Sequence, residues 1–378
     1  MTERRYDVAV VGAGIVGLAC ALAAARRGLS VVVIDRDAQA NGASIRNFGF
    51  VTVTGQPRGK VWSRAHRSRA IWDEVAREAD VPVLQRGLWL PVRRPEAAAV
   101  LEAFMTTEMG EGCRLMTGEE ARARAPQIIG PQTVAALWSP HELRVDSRIA
   151  IPGLAAWLAD RFGVAFRRQT AVQTVEPPRL VTSRGVVEAE RIVVCPGDDL
   201  VSLFPDQMAQ AGVTRCKLQM MRLASPGFNL PAPVMSDLGL VRYGGYAALP
   251  EAAALRARLE AEQGQALTNG VHLIAVQDAD GALVMGDSHH DAATPDPFAS
   301  EAVDRLILDE WRAATGQPAP PVLQRWTGTY ARGPNADLIA APHPRVRLAL
   351  ITAGNGASTG FAFGEEVIAD LFEETSKP

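Results

Sequence analysis

Six residues near the start of the chain, Gly12-Ala13-Gly14-Ile15-Val16-Gly17, and an acid further on, Asp35, have the types and spacing to hold a dinucleotide. The first glycine permits a tight turn, the second lets backbone approach a pyrophosphate, and the third lets a helix pack on a strand. Phosphates then meet the positive end of a helix dipole, where the N–H groups at Ile15 and Val16 have no partner within the helix. Asp35 stands where a carboxylate accepts hydrogen bonds from an adenosine ribose, and its charge disfavours a 2′-phosphate. Arg36 adjoins it.

The elements that must position these residues are legible around them. Asp7-Val8-Ala9-Val10-Val11 is an apolar run expected of a strand buried on both faces. Leu18 to Arg27 is rich in Ala and Leu and favours helix, with Gly28 placed to end it. Val31 to Ile34 is the second strand. Val8 to Ala25 carries no charge and follows Arg4 and Arg5, yet its spaced glycines and its continuation into a strand argue against a signal peptide or membrane span. The expectation is a cytoplasmic protein without an integral membrane segment.

Further chemistry-bearing residues lie far apart in sequence. Asn41 to Gly49 mixes small, polar and basic residues, of which Ser44, Arg46, Asn47 and Phe48 are candidates for contact with a flat ligand. Val172 lies on a short strand, and Gly197 follows an apolar strand at its carboxyl end, where α/β sheets bind ligands. Near the other end, Arg347 to Ala353 reads as a strand entering a second glycine loop, with a helix expected from Phe361 to about Glu373. The loop offers Gly354, Asn355, Gly356, Ser358 and Thr359. A helix start there favours the negative charge that develops on a flavin taking a hydride, whereas a nicotinamide becomes neutral and gains nothing. The cofactor reading is therefore FAD.

Bulk properties bound the rest. A chain of 378 residues suggests about two domains. A net charge of −3 gives no general attraction for nucleic acid. The 4 cysteines are scattered, which argues against a disulfide framework or zinc, and no metal site is read. Lys60, Lys217 and Lys377 stand out in an arginine-rich chain.

Between the glycine loops, Lys60 to Ala79 has helical spacing, and Leu84 to Val92 reads as a hairpin. Ser147 reads as the cap of a helix ending at Gly163. Strands are expected at Cys216 to Leu223 and Gly281 to Asp287, and helices at Ala252 to Gln263 and Glu301 to Ala314. His289 and His290 are adjacent. In an extended segment they point to opposite faces, so they do not form a two-toothed metal site, and one of them faces a pocket.

Taken together, the Gly12–Gly17 loop with Asp35, the Ala43-Ser44-x-x-Asn47-x-Gly49 loop, Val193 to Gly197 and the Gly354 to Gly360 loop resemble the FAD-dependent D-amino-acid oxidase, glycine oxidase and sarcosine oxidase superfamily. That resemblance implies an α/β, two-domain fold. A Rossmann-like FAD domain in pieces (1–80, 147–213, 326–378) would alternate with a substrate domain (81–146, 214–325) on a mixed, largely antiparallel sheet. It also implies oxidation of a C–N bond in a small amine by hydride transfer to flavin, giving an imine that water hydrolyses, with oxygen or a quinone as electron acceptor.

One departure bears on the substrate. The family's carboxylate-clamping arginine lies four residues past a tryptophan, whereas here Trp326-Thr327-Gly328-Thr329-Tyr330 puts tyrosine there and Arg332 comes two residues later. Arg46 to Gly49, Ser139 to Arg144 and Gly286 to His290 resemble a narrower subgroup associated with aminophosphonate breakdown. The expected substrate is 2-aminoethylphosphonate or its N-methyl derivative. Candidate substrate-binding residues are Arg46, Lys217, His289, Tyr330 and Arg332, with Lys217, His289 and Tyr330 the catalytic candidates. Two alternatives stay open: an oxidase of glycine, sarcosine or D-amino acids, and a flavin-binding subunit of an electron-transfer complex.

Overall fold

The computed structural model describes residues 5–373. Its first sheet is parallel and ordered by pairing as Ala165–Arg167, Val31–Ile34, Tyr6–Val11, Gly185–Val194 and Val346–Ala353. Val31–Ile34 is buried at every position, as a strand covered on both faces must be.

Helix Ile15–Arg26 packs against this sheet and against the last helix, Gly356–Glu373. The two helices approach so closely that a Cβ at Gly364 would lie 2.6 Å from the carbonyl carbon of Ala19. This contact brings two helix N-termini to one place. Within the first glycine turn, a Cβ on Gly17 would sit 1.9 Å from the Gly12 oxygen, so only glycine lets the helix start there.

The second sheet is mixed and mostly antiparallel. Thr214–Leu223 pairs with Leu283–Gly286, which pairs with Ile274–Gln277 and, through Val234–Met235, leads to Val83–Val92 and Ala135–Val145. Only the Val234 to Trp89 contact is parallel among these pairings. The 22-residue strand Val322–His343 joins the sheets: its first half pairs with Thr214–Leu223 and its second with Val346–Ala353. The two sheets thus share one backbone.

Three local expectations are corrected. Residues 84–92 are not a hairpin but part of one ten-residue strand, Val83–Val92. Gly87, with φ +78°, lies where its register with Ala135–Val145 shifts, so the glycine marks a bulge rather than a turn. Asp146, not Ser147, caps Ser147–Phe162, its carboxylate accepting from the Arg148 N–H. The last helix begins at Gly356 rather than Phe361, because the residues after Asn355 are its first turn. No helix among the described residues is long and apolar enough to cross a membrane.

Candidate functional site

Helix Ile15–Arg26 lacks a capping side chain of its own, since Gly14 is its N-cap. Ser44 supplies the cap from a distant loop, its hydroxyl accepting from the Ile15 N–H at 2.9 Å. Asp35 closes the same turn, with Oδ2 accepting from the Ala13 N–H at 2.6 Å. Its backbone carbonyl accepts from Thr170 N–H, which sets it beside the segment entering Val172. Asn47 braces its loop by donating to the Ala43 carbonyl and accepting from the Gly49 N–H, both at 2.7 Å.

These elements line a cavity of about 460 Å³. Of the residues expected to hold the cofactor, Gly14, Ile15, Val16, Gly17, Ser44, Asn47, Phe48, Gly197, Gly354, Asn355, Gly356 and Ser358 line it. Gly12, Asp35, Arg36, Arg46, Val172 and Thr359 do not. Gly12 and Thr359 instead shape the turns: a Cβ on Gly12 would lie 2.2 Å from the Cys195 oxygen, and Thr359 donates to the Asn355 carbonyl. Arg36 pairs with Asp199 at 2.7 Å on the surface.

The arrangement suits a long flat cofactor. Two helix N-termini open into one cavity, and both favour negative charge. Asn355 donates to the Gln56 side chain at 3.1 Å while its own Oδ1 is buried without a partner among the described residues. That orphaned acceptor faces a cavity in need of a donor, as the N–H of a flavin ring would provide.

The expected substrate residues divide. His289, Tyr330 and Arg332 line the cavity, Tyr330 and Arg332 by the period-2 alternation of one strand. Burial raises the Tyr330 phenol above its ordinary pKa, so it stays protonated. His289 and His290 do face opposite sides, since His290 lines a second pocket. Lys217 lines that second pocket too, its ammonium donating to the Phe298 carbonyl at 2.9 Å. Arg46 lies against the outer backbone of Val322–His343, donating to the Thr327 carbonyl at 3.4 Å and to Asn41 at 3.3 Å. Neither Lys217 nor Arg46 reaches the cavity.

Four further residues line the cavity and were absent from the expected site: Arg242, Tyr243, His272 and Asp287. Among the described residues the Arg242 guanidinium has no hydrogen bond or ion pair, yet its charge acts on Tyr243, His272, Asp287, His289 and Tyr330. Asp287 is 6% exposed, and burial pushes its carboxyl up to about 7. His272 and His289 are held below their ordinary range, mainly by burial. In sequence the Gly286 to His290 string pointed at this place, but nothing local marked Arg242 or His272.

The family model described as "DAO: FAD dependent oxidoreductase" matches residues 7–371. The chain is 26% identical over 210 residues to a glycine oxidase of Geobacillus kaustophilus, a match covering 51% of this chain and 55% of that one. It is also 26% identical over 219 residues to one subunit of an opine oxidase of Rhizobium meliloti, covering 53% and 58%. The chain thus spans little more than half the length of these curated relatives. In structure, the crystal structure of glycine oxidase from Geobacillus kaustophilus superposes with a TM-score of 0.77 at 20% identity, covering 98% of this chain and 95% of that one.

Proposed function

The chain belongs to the DAO family of FAD-dependent oxidoreductases, and from that premise we propose that it oxidises the C–N bond of a small amine, with an aminophosphonate such as 2-aminoethylphosphonate or its N-methyl form as substrate. When bound, FAD supplies the acceptor for the hydride leaving the carbon next to nitrogen.

The chain's own residues do the rest. The Gly12–Gly17 turn and the start of Ile15–Arg26 would hold the pyrophosphate, with Asp35 and the neighbouring Val172 segment on the adenosine side. The start of Gly356–Glu373 and the free Asn355 Oδ1 would hold the flavin ring. A helix N-terminus stabilises negative charge by about 0.3–1 kcal/mol when exposed and up to ~2 kcal/mol when partly buried.

The observation that carries the substrate reading is the composition of the cavity's substrate side. Arg242 and Arg332 place two cations on it, Tyr330 adds a neutral hydroxyl donor, and Asp287 is the acid among them. A zwitterion fits such a lining, its anion toward the arginines and its nitrogen toward the acid. Several separate donors suit the three oxygens of a phosphonate better than a single forked clamp suits a carboxylate. The domain division at 80, 146, 213 and 325 belongs to the same proposal, its last boundary falling within the strand shared by both sheets.

Anaerobic bleaching of the flavin tests this. 2-Aminoethylphosphonate and its N-methyl form should reduce it faster than glycine, sarcosine or D-alanine. Equal or faster bleaching by glycine would remove the phosphonate reading and leave an amino-acid oxidase. No bleaching by any amine would remove both.

A further inference from the structure

His289 and Asp287 meet in a way that neither side chain satisfies alone. Nδ1 of His289 lies 2.9 Å from the Gly270 carbonyl, which can only accept, so Nδ1 carries the ring proton. The ring is neutral, because burial disfavours its charged form. Nε2 therefore bears a lone pair, and it lies 3.5 Å from Oδ2 of Asp287. With Asp287 ionised, the two are acceptors facing each other.

The other carboxylate oxygen is no better served. Asp287 Oδ1 and His272 Nδ1 lie 3.3 Å apart, and both are buried without a hydrogen-bond partner among the described residues. Tyr243 stands behind His272, with its hydroxyl 3.4 Å from Nε2. The groups facing Asp287 are Arg242 and Tyr243 from one segment, His272 and His289 from the two ends of the 272–289 region, and Tyr330 and Arg332 from the long strand, all lining the same cavity. Burying an acceptor without a donor is unfavourable, so this cluster is built for a donor that arrives.

We propose that Asp287, with His289 beside it, is the subsite that takes the substrate's ammonium group and removes one of its protons before hydride leaves. The proposal rests on the amine reading above. A primary alkylammonium carries three N–H donors, one for each Asp287 oxygen and one for His289 Nε2, and a secondary one carries two, enough for Asp287 Oδ2 and one of its neighbours. One N–H bond breaks with its electron pair staying on nitrogen, and the proton forms an O–H bond on Asp287. The products are a neutral amine and a neutral carboxyl. The freed lone pair can then stabilise the iminium that forms as hydride departs, and the carboxyl returns its proton to solvent after product leaves.

The three ligand atoms of His272, Asp287 and His289 lie within 4.8 Å of one another, a spacing that a divalent metal also accepts. Arg242 favours the monocation: its guanidinium acts on all three groups, and a second full positive charge beside it is repelled more strongly when doubled.

The test uses the holoenzyme, wild type and Asp287→Asn, with Asp287→Glu as the conservative variant. Anaerobic flavin reduction by 2-aminoethylphosphonate is followed from pH 5.5 to 10. The wild-type rate should climb through about pH 7 as Asp287 ionises. In Asp287→Asn the climb should move to the amine's own range, above about pH 9, and the rate at pH 7 should fall about 100-fold. Asp287→Glu should restore part of the neutral-pH rate, and FAD content should be unchanged. A second arm needs no turnover. By calorimetry at pH 8, wild type should bind 2-amino-2-methylpropylphosphonate, whose carbon next to nitrogen has no hydrogen to leave as hydride, at least tenfold more tightly than its N,N,N-trimethyl analogue, and Asp287→Asn should lose that preference. An unchanged pH profile, equal affinity for the trimethyl analogue, or a stoichiometric metal that disappears in Asp287→Asn overturns the assignment. A wild-type flavin that no amine bleaches counts against the amine reading, and the calorimetric arm still decides the role of Asp287.

Discussion

Leu218 and Lys217 are neighbours on one strand and serve different spaces: Leu218 lines the main cavity, while Lys217 points through the opposite face to donate to the Phe298 carbonyl at 2.9 Å. The alternation of a strand makes this separation unavoidable. Lys217→Met should therefore leave the rate of anaerobic flavin reduction within about twofold of wild type. Its effect should fall on the 295–300 segment, which loses a charge-assisted hydrogen bond contributing about 1.5–3 kcal/mol. Stopped-flow reduction and limited proteolysis read the two effects separately. A tenfold loss of reduction rate would place the ammonium at the flavin after all.

Among the described residues, Arg242 is the cavity cation whose side chain has no hydrogen bond or ion pair. Arg242→Ala should raise KM for an anionic amine about ten- to a hundred-fold, the equivalent of one charge-assisted hydrogen bond, with FAD content unchanged. An uncharged amine of similar size should lose much less. Steady-state kinetics on a phosphonate and its uncharged counterpart check the difference.

The glycines of the first turn should fail in two ways. A Cβ at Gly17 meets backbone at 1.9 Å, so Gly17→Val should prevent stable folding. A Cβ at Gly14 meets only the Ser44 side chain, its hydroxyl at 2.9 Å, on the wall of the cavity. Gly14→Val should fold and lose FAD. Circular dichroism with the flavin-to-protein absorbance ratio distinguishes the two outcomes, and a yellow Gly14→Val protein would contradict the placement of the pyrophosphate.

Arg64 ties the first and last parts of the chain together. Its Nε and Nη2 each donate to Glu366 at 2.6 Å, it also pairs with Asp337, and it is 4% exposed. Arg64→Ala removes charge-assisted hydrogen bonds to two partly exposed carboxylates, of which Glu366 keeps Lys60, and should cost about 1.5–3 kcal/mol of stability. Burial opposes ionisation of Glu366, but Arg64 and Lys60 outweigh it and hold the carboxyl below its ordinary pKa. Because the folded value is the lower one, the pair's contribution is present above the unfolded pKa near 4.5 and is lost as pH falls through the folded value. Thermal melts between about pH 3 and 7 should show wild type converging toward Arg64→Ala at the acid end.

The sequence by itself determined the nucleotide half. A glycine turn, its flanking strands and Asp35 are consecutive or nearly so, and their physics is local: a Cβ has no room, an N–H has no partner, and an apolar run needs cover. The same held for Tyr330 and Arg332, whose common face follows from residues two apart on a strand. Parity alone, however, does not say which face of a strand looks inward. Lys217 and Leu218 were equally eligible until Thr214–Leu223 paired with Val322–His343 and fixed the cavity on the Leu218 side. Tertiary structure also decided the substrate end. Arg242 and His272 come from segments separate from the one that carries Asp287 and His289. The pairing of Ile274–Gln277 with Leu283–Gly286 brings His272 to Asp287, and burial there pushes the Asp287 carboxyl up to about 7.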